Sequence, residues 1–254
     1  MIHATTFLNK PAYRTKMFHF DNKNNNIKDN CHYHYDRPLI AQIAGANKGT
    51  LLACAKLLEP YVDAIDLNLG CPTLTAKRGR YGAYLLGSGS HLTDIVYHLS
   101  SNLSCPVTCK VRLLPLKKRS SAKEEEDNEQ SLLVLLYDLQ GSLDLYRALI
   151  DAGASMLTIH GRTRDMRGEL TGKADWDAIR IVVQELGDRV PILANGNLAS
   201  WEDVGKCLEF TRADGVMSSE AILEYPPALY HAVAPSPRRD DDDGSSSSII
   251  IIPR

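Results

Sequence analysis

Residues 66–86 read DLNLGCPTLTAKRGRYGAYLL, and this stretch decides between the possible fold classes. The apolar run that leads into it has the composition of a buried strand, and the run breaks at Gly70-Cys71-Pro72. A single cysteine therefore stands where the strand ends. Lys77, Arg78 and Arg80 follow before the chain turns apolar again. The pattern predicts a strand whose exit loop carries chemically active side chains.

Strand-like runs and helix-like runs alternate along the rest of the chain. The predicted strands are 38–45, 63–70, 106–112, 156–164, 190–197 and 213–220, and MIHA at 1–4 has the pattern of a strand remnant. The predicted helices are 47–61, 90–102, 142–154, 175–187 and 200–210. This alternation predicts a mostly parallel sheet with right-handed crossovers.

Polar side chains end nearly all of these strands, and their placement favours a barrel over an open doubly wound sheet. They are Gln42, Cys71, Lys110, His160, Asn195 and Glu220. In a (β/α)8 barrel the carboxyl ends of the strands surround one site, whereas an open sheet spreads them along an edge. We therefore predict an α/β fold of the TIM (β/α)8 barrel type over residues 1–233, with its first strand lacking.

Three segments are expected to lie outside the regular fold. Residues 1–36 are polar and predict an irregular surface segment, with the Asn-rich run DNKNNNIKDN as a loop. The charge run at 117–130 predicts a solvated loop inserted in the barrel domain. Residues 234–254 contain acidic, serine and isoleucine blocks and predict a low-complexity, disordered tail.

Composition excludes some classes of function. The net charge is −2, so an RNA contact would need a local basic patch rather than a global positive field. The six cysteines form no C-x-x-C pair, which argues against a zinc site. No apolar run approaches the roughly 20 residues that cross a bilayer. We expect a soluble, intracellular protein that holds no metal.

Cys71 is open to several interpretations as a loop cysteine: a structural bystander, a nucleophile, a metal ligand or a proton donor. No histidine or acidic residue adjoins it in the sequence, which weakens the nucleophile reading. Lys110 is costly to bury without an anionic partner, and His160 is either a core residue or a ligand contact. The loops at 194–197 and 217–220, with Gly196, Ser218 and Ser219, are typical of a phosphate site. Together these features predict a phosphorylated cofactor.

The motifs DLNLGCP, AKRGRYGAYLL, PVTCKVR, TIHGRTR, PILANGN and DGVMSSE, in this order, resemble the tRNA-dihydrouridine synthases. The match is to the eukaryotic type that acts on D-loop uridines, 16/17-like, and it covers residues 1 to about 230. The resemblance implies a flavin enzyme that reduces uridine to 5,6-dihydrouridine in the D-loop of tRNA, with FMN reduced by NADPH or NADH.

The resemblance also assigns roles to residues of this sequence. Cys71 matches the catalytic proton donor. The positions that match the FMN contacts of the family are Gln42, Lys110, His160, Asn195, Gly196, Asn197, Ser219 and Glu220. The target base must leave its stack to reach a flavin. The cations expected to hold the phosphates of the tRNA are Lys77, Arg78, Arg80, Arg162 and Arg164.

The family pattern begins with a strand bearing an APMV-like segment and ends in a helical domain, and we expect both to be absent here. Two other hypotheses therefore stay open. One is a catalytically incompetent remnant with at most weak RNA binding. The other is a different FMN-dependent dihydropyrimidine oxidoreductase, which would not need RNA. We expect a monomer in the cytoplasm, with the nucleus as a second location.

Overall fold

The computed structural model describes residues 1–18, 37–116, 137–219 and 248–251. The chain divides into two compact units. The first unit comprises residues 1–110 and 148–155, and the second comprises residues 111–147 and 156–254. Both units are built from parallel strands and amphipathic helices.

The helices of the described residues fall close to the helix-like runs of the sequence, with three short ones besides. They are α1 (Ala4–Asn9), α2 (Pro11–Met17), α3 (Lys48–Leu58), α4 (Leu74–Gly79), α5 (Ser90–Ser100), α6 (Leu139–Asp151), α7 (Trp176–Leu186) and α8 (Trp201–Thr211). The strands are β1 (Ile2–His3), β2 (Ile40–Ala44), β3 (Ala64–Asn68), β4 (Val107–Pro115), β5 (Tyr137–Asp138), β6 (Leu157–Thr163), β7 (Ile192–Asn195), β8 (Gly215–Ser218) and β9 (Ser248–Ile251).

In the first unit, β1, β2, β3 and the start of β4 pair in parallel in chain order. Their register aligns Gln42 with Asp66, Asp66 with Thr108, and Asn68 with Lys110. Because side chains alternate across a strand, all five of these residues share one face of the sheet. Helices α3 and α5 each bury apolar side chains that recur at helical spacing, and the two helices pack against each other.

In the second unit, β6, β7, β8 and β9 pair in parallel in that order, and β5 pairs antiparallel with the end of β4. Helix α7 buries Ile179, Val182 and Leu186, and it packs against α8. Side-chain caps begin both helices. Asp175 accepts the N–H of Ala178 at α7, and Ser200 forms a capping box with Asp203 at α8.

The structure corrects the expectation of an irregular N-terminal segment. Residues 4–17 form two helices, because Ala4 and Phe7 supply a buried apolar face and Pro11 occupies the first position of α2, where its missing N–H costs nothing. The Asn-rich run lies outside the described residues. So does the charged insertion at 117–130.

The structure also differs from the sequence expectation within the predicted disordered tail. Ser248–Ile251 form strand β9 beside β8, which fits the strong preference of β-branched isoleucine for extended backbone. The other tail residues, 234–247 and 252–254, lie outside the described ones. For them, and for the domain boundary at 233, the sequence-based expectation stays a prediction.

Glu59 follows α3 and ties the end of that helix to the loop before β4. Its carboxylate accepts hydrogen bonds from the N–H and hydroxyl of Ser104, from the N–H of Cys105, and from the Lys56 ammonium. Burial raises the pKa of Glu59, but these hydrogen bonds together outweigh it and lower the pKa from 4.5 to about 2. The ionised carboxylate is therefore stabilised in the folded chain.

We expect Glu59→Gln to lower the free energy of unfolding at pH 7 by about 1 kcal/mol. A depressed carboxyl pKa stabilises the fold fully above pH 4.5 and progressively less as the pH falls toward about 2. The difference in the free energy of unfolding between the variant and the parent chain, measured by urea unfolding, should therefore shrink as the pH falls through that range. Glu209 is exposed, and Glu209→Gln is the control. If both variants lost the same free energy of unfolding at every pH, the prediction would be contradicted.

Candidate active site

The Cys71 loop is held on its N-terminal side by the last residue of β3. The Oδ1 atom of Asn68 accepts hydrogen bonds from the backbone N–H groups of Gly70 at 3.2 Å and Cys71 at 2.9 Å. Thr73 then caps α4 by accepting the N–H of Ala76. The Sγ atom of Cys71 lies 3.3 Å from Oγ1 of Thr73, and the thiol is partly exposed. The loop therefore presents a thiol on fixed backbone.

Gly82 holds the same loop from its other side. Its φ of +62° lies in the left-handed region, and an added Cβ would stand 2.7 Å from the carbonyl oxygen of Cys71. That oxygen accepts the N–H of Ala83 at 3.1 Å, and the hydroxyl of Tyr84 donates to the carbonyl of Pro72 at 3.1 Å. The close return of the chain at Gly82 explains why the GRYGA run follows the GCP run so soon.

The three cations after Cys71 form an exposed basic surface. Lys77 and Arg78 lie on α4, and Arg80 ends that helix in the left-handed conformation with a φ of +52°. Leu74, one turn before Lys77 and Arg78, is 61% exposed. The sequence prediction of a basic patch beside the cysteine fits this surface, although its role in binding tRNA stays a prediction.

Below this loop, a buried polar network spans β2, β3 and β4. The Asp66 carboxylate accepts hydrogen bonds from Nε2 of Gln42 at 2.8 Å and from Oγ1 of Thr108 at 2.7 Å. The Nδ2 atom of Asn68 donates to Oε1 of Gln42 at 2.8 Å. Burial raises the pKa of Asp66 above its usual value, and the hydrogen bonds from Gln42 and Thr108 and the charge of Lys110 offset this rise only in part.

The first unit therefore brings three predicted site residues together. Gln42 is linked to the Cys71 backbone through Asn68, and Lys110 pairs with Asn68 in the register of β3 and β4. Gln42 and Lys110 are both half-buried and share one face of the sheet. The roles of Cys71, Gln42 and Lys110 in binding or catalysis stay predictions.

In the second unit, His160 and Arg162 lie two residues apart on β6. Nη1 of Arg162 lies 3.0 Å from Nε2 of His160. An arginine nitrogen can only donate, so this imidazole nitrogen accepts. The same guanidinium donates to the carbonyl of Gly172 and to Oδ1 of Asn197 at 2.8 Å. Arg162 thus joins His160 to the loop after β7.

The loop after β7 is shaped by tight backbone contacts. Gly196 has a φ of +111°, and an added Cβ would stand 2.6 Å from Cβ of Ala174 and 3.1 Å from Cδ2 of His160. Asn197 also has a positive φ, of +59°, and donates to the carbonyl of Ala174 at 3.1 Å. The indole of Trp176 donates to the carbonyl of Gly196 at 3.1 Å. The ANGN motif is therefore held as one rigid turn.

Several predicted positions need correction. Gln42, Lys110 and His160 lie inside their strands rather than at the ends. Buried residues continue each strand beyond them, namely Ile43 and Ala44 in β2, Val111 and Leu113 in β4, and Gly161 and Thr163 in β6. The Ser218 hydroxyl was expected to face a phosphate, but it donates to the carbonyl of Leu198 at 2.9 Å and is buried.

The remaining predicted site residues differ in their burial and in their hydrogen-bond partners. Asn195 is buried, with Nδ2 donating to the carbonyl of Met217 at 2.7 Å. Arg164 is partly exposed, with Nε 3.7 Å from Oδ1 of Asp165. Ser219, the residue after β8, is half-buried. Glu220 lies outside the described residues, so its assignment stays a prediction.

Sequence reasoning missed the residues that hold the site: Asp66, Asn68, Thr73, Gly82 and Thr108. Asp66 and Asn68 carried a usable signal, since two polar residues at a spacing of two interrupt an otherwise apolar strand just before Cys71. Gly82 carried none, because its role depends on a contact with Cys71 that appears only in three dimensions.

Within the described residues, no three histidine, cysteine, aspartate or glutamate side chains are grouped so that they could hold a metal ion. In the same part of the chain, no helix is long and apolar enough to cross a membrane.

Comparison with protein families matches residues 1–128 and 136–245 to the family described as dihydrouridine synthase (Dus). Domains of this family are TIM barrels, so the fold class predicted from the sequence is confirmed. The prediction of the family itself is confirmed as well.

Curated relatives of this chain bear names of one kind. The tRNA-dihydrouridine(16/17) synthase [NAD(P)(+)] of Schizosaccharomyces pombe is 34% identical over 226 residues, which are 89% of this chain and 49% of that protein. The protein of the same name in Saccharomyces cerevisiae is 37% identical over 77% of this chain and 41% of its own length. The chain thus spans about half the length, or somewhat less, of these relatives.

Among solved structures, a phosphonopyruvate hydrolase in complex with oxalate and Mg²⁺ is similar with a TM-score of 0.53. It covers 87% of this chain and 69% of its own chain at 14% identity. At that identity the likeness concerns the fold alone.

Proposed function

This chain belongs to the dihydrouridine synthase family, and we propose that it binds FMN and reduces uridine to 5,6-dihydrouridine in the D-loop of tRNA. NADPH or NADH is the proposed reductant. The names of the relatives support the tRNA substrate and the nicotinamide cofactor. The cysteine, the basic surface and the polar strand face of the first unit support the chemistry.

The observation that carries this proposal is the placement of the Cys71 thiol. It is partly exposed, its backbone is held by Asn68 on one side and approached by Gly82 on the other, and the exposed cations of α4 follow it directly. A thiol needs such a fixed, accessible position to deliver a proton to a defined carbon atom.

The donors of the first unit fit a flavin. Gln42 uses one N–H and one oxygen lone pair within the protein, so one of each remains for a ligand. Lys110 carries an ammonium on the same face, which suits an electron-rich, negatively charged ring system. When bound, FMN supplies the hydride chemistry that no side chain of this chain possesses.

The side chains then supply binding and one proton. Reduction of uridine adds a hydride to C6 and a proton to C5, so the C5=C6 double bond is consumed. Cys71 is the proposed source of the proton at C5, and its Sγ would take a proton back from solvent. The Thr73 hydroxyl, 3.3 Å away, orients the thiol by hydrogen bonding.

The FMN contacts proposed for the second unit are His160, Asn195, Gly196, Asn197 and Ser219. Of these, His160 and Asn197 already share the Arg162 guanidinium, so Arg162 acts in this proposal by holding the two in place. The contacts of Arg162 and Arg164 with tRNA phosphates stay predictions. These assignments, the cytoplasmic location and the monomeric state remain predictions.

The proposal is tested by purifying the chain, adding FMN, and measuring the flavin retained after gel filtration. Turnover is then measured with NADPH or NADH on unmodified tRNA by mass spectrometry of digested nucleosides. Retained flavin with reduction of tRNA uridine is the expected result. Colourless protein without turnover would contradict the proposal, and reduction of free uracil without tRNA would favour a small-molecule dihydropyrimidine oxidoreductase.

We expect replacement of Lys77, Arg78 and Arg80 by glutamine to weaken tRNA binding and to lower its salt dependence. Each phosphate contact contributes roughly 0.7 to 0.9 to the slope of log affinity against log salt, so the triple change should reduce the slope by about two to three. Filter binding at several salt concentrations measures this slope. The control variant carries glutamine in place of Lys173, Lys206 and Arg212, which removes three positive charges from another part of the chain. An equal reduction of the slope in both variants would mean that binding responds only to the total positive charge and not to the cations beside Cys71.

A further inference from the structure

The structure points to a role for the buried Asp66 carboxylate that goes beyond packing. We propose that Asp66 is a positioning residue for the Cys71 thiol, and that it acts through the side-chain amides of Gln42 and Asn68. This inference rests on the proposed function, because the thiol that it positions is the proposed proton donor.

The first link is the orientation of the Gln42 amide. A carboxylate accepts hydrogen bonds and has none to donate. Asp66 is 2% exposed and its two oxygens are taken by Nε2 of Gln42 and Oγ1 of Thr108. The NH2 end of Gln42 must therefore face Asp66, and its oxygen must face away from it.

The second link carries this orientation to the loop. The Gln42 oxygen accepts Nδ2 of Asn68 at 2.8 Å, so the Asn68 oxygen faces the loop and accepts the N–H groups of Gly70 and Cys71. Reversing Gln42 would place its NH2 group against the NH2 group of Asn68. Reversing both amides would place the NH2 group of Asn68 against the Cys71 N–H. Only one direction satisfies every donor.

A purely structural role would not require a hydrogen-bond acceptor in this position. Burying a carboxylate is costly, and an apolar side chain of similar volume packs the same space without that cost. The hydrogen bonds of Asp66 lead on one side to the Cys71 backbone and on the other to Thr108 alone. The carboxylate is thus the fixed end of a chain of hydrogen bonds whose other end is the thiol loop.

The test is the rate at which iodoacetamide alkylates each cysteine of the native, flavin-free chain, measured by peptide mass spectrometry. In Asp66→Leu the Gln42 amide loses its fixed partner, and the freed loop should expose Cys71, whose alkylation should accelerate about five- to tenfold. Cys105, which is also partly exposed, serves as an internal reference, and the buried Cys54, Cys109 and Cys207 report any general loosening.

Two further variants separate positioning from packing. In Asp66→Asn the new Oδ1 still accepts from Gln42 while its NH2 group donates to Thr108, so Cys71 alkylation should stay within about twofold of the parent rate. Thr108→Val removes the other donor to Asp66 and leaves the Gln42–Asn68–Cys71 chain intact, so Cys71 should again react at nearly the parent rate.

Acceleration confined to Cys71 in Asp66→Leu supports the proposal. An unchanged Cys71 rate, or equal acceleration of Cys54, Cys71, Cys105, Cys109 and Cys207, overturns it. Should Asp66→Leu not fold, Gln42→Met interrupts the same chain one link later, and an unchanged Cys71 rate in that variant also overturns the proposal. The measurement needs neither FMN nor tRNA. The positioning role of Asp66 can therefore be overturned while the proposed uridine reduction holds, and the proposed uridine reduction can be overturned while the positioning role holds.

Discussion

Replacing Cys71 by alanine is expected to lower the rate of tRNA uridine reduction by about 10²- to 10⁴-fold, the usual contribution of a positioned general acid. The flavin content should not change, because Cβ and the backbone of residue 71 stay in place and the contacts of Gln42 and Lys110 are untouched. Single-turnover mixing of flavin-reduced enzyme with tRNA measures the chemical step, and absorbance measures the bound flavin.

The matched control is Cys105→Ala, since Cys105 is the other partly exposed cysteine of the described residues. Its thiol lies before β4 and its backbone N–H faces Glu59, so its loss should leave turnover within about twofold of the parent. Full turnover in Cys71→Ala would show that the proton at C5 comes from another group.

Gly82→Ala is the second change with a large expected effect. The new Cβ would stand 2.7 Å from the carbonyl oxygen of Cys71 and 3.0 Å from its Cβ, on backbone with a φ of +62°. Left-handed strain and overpacking should together destabilise the chain by about 2–4 kcal/mol. Because the loop must move to relieve the contact, turnover should fall even in the molecules that remain folded.

Gly89→Ala separates these two causes. Gly89 has a similar positive φ of +48°, but an added Cβ would meet nothing within 4 Å. Its stability loss should reflect backbone strain alone, about 1 kcal/mol, with turnover retained. Urea unfolding and single-turnover rates of the two variants give the comparison. Equal stability and equal activity in both would mean that Gly82 does not constrain the Cys71 loop.

The regular elements were predictable because their signals are local. Alternating strands and helices with buried faces, such as Leu92, Ile95 and Leu99 on α5, repeat at spacings that a sequence shows directly. Helices α1 and α2 were missed because they are short, and only the burial of Phe7 reveals that one of them has an apolar face.

The site was predictable in part for the same reason. Cys71, Lys77, Arg78 and Arg80 are neighbours in the sequence, so their proximity needs no tertiary structure. The register of β2 against β3 sets the order of the hydrogen bonds that run from Asp66 through Gln42 and Asn68 to Cys71. No local pattern of either strand specifies that register.

The amino-acid sequence by itself determined the α/β class, the family and the position of the proposed proton donor, because periodicity and motif spacing are properties of the chain as written. Tertiary structure alone decided that Arg162 and Ser218 form hydrogen bonds within the protein, and that a buried carboxylate orients the amides beneath Cys71. Those outcomes depend on which donors and acceptors meet once strands far apart in sequence lie side by side.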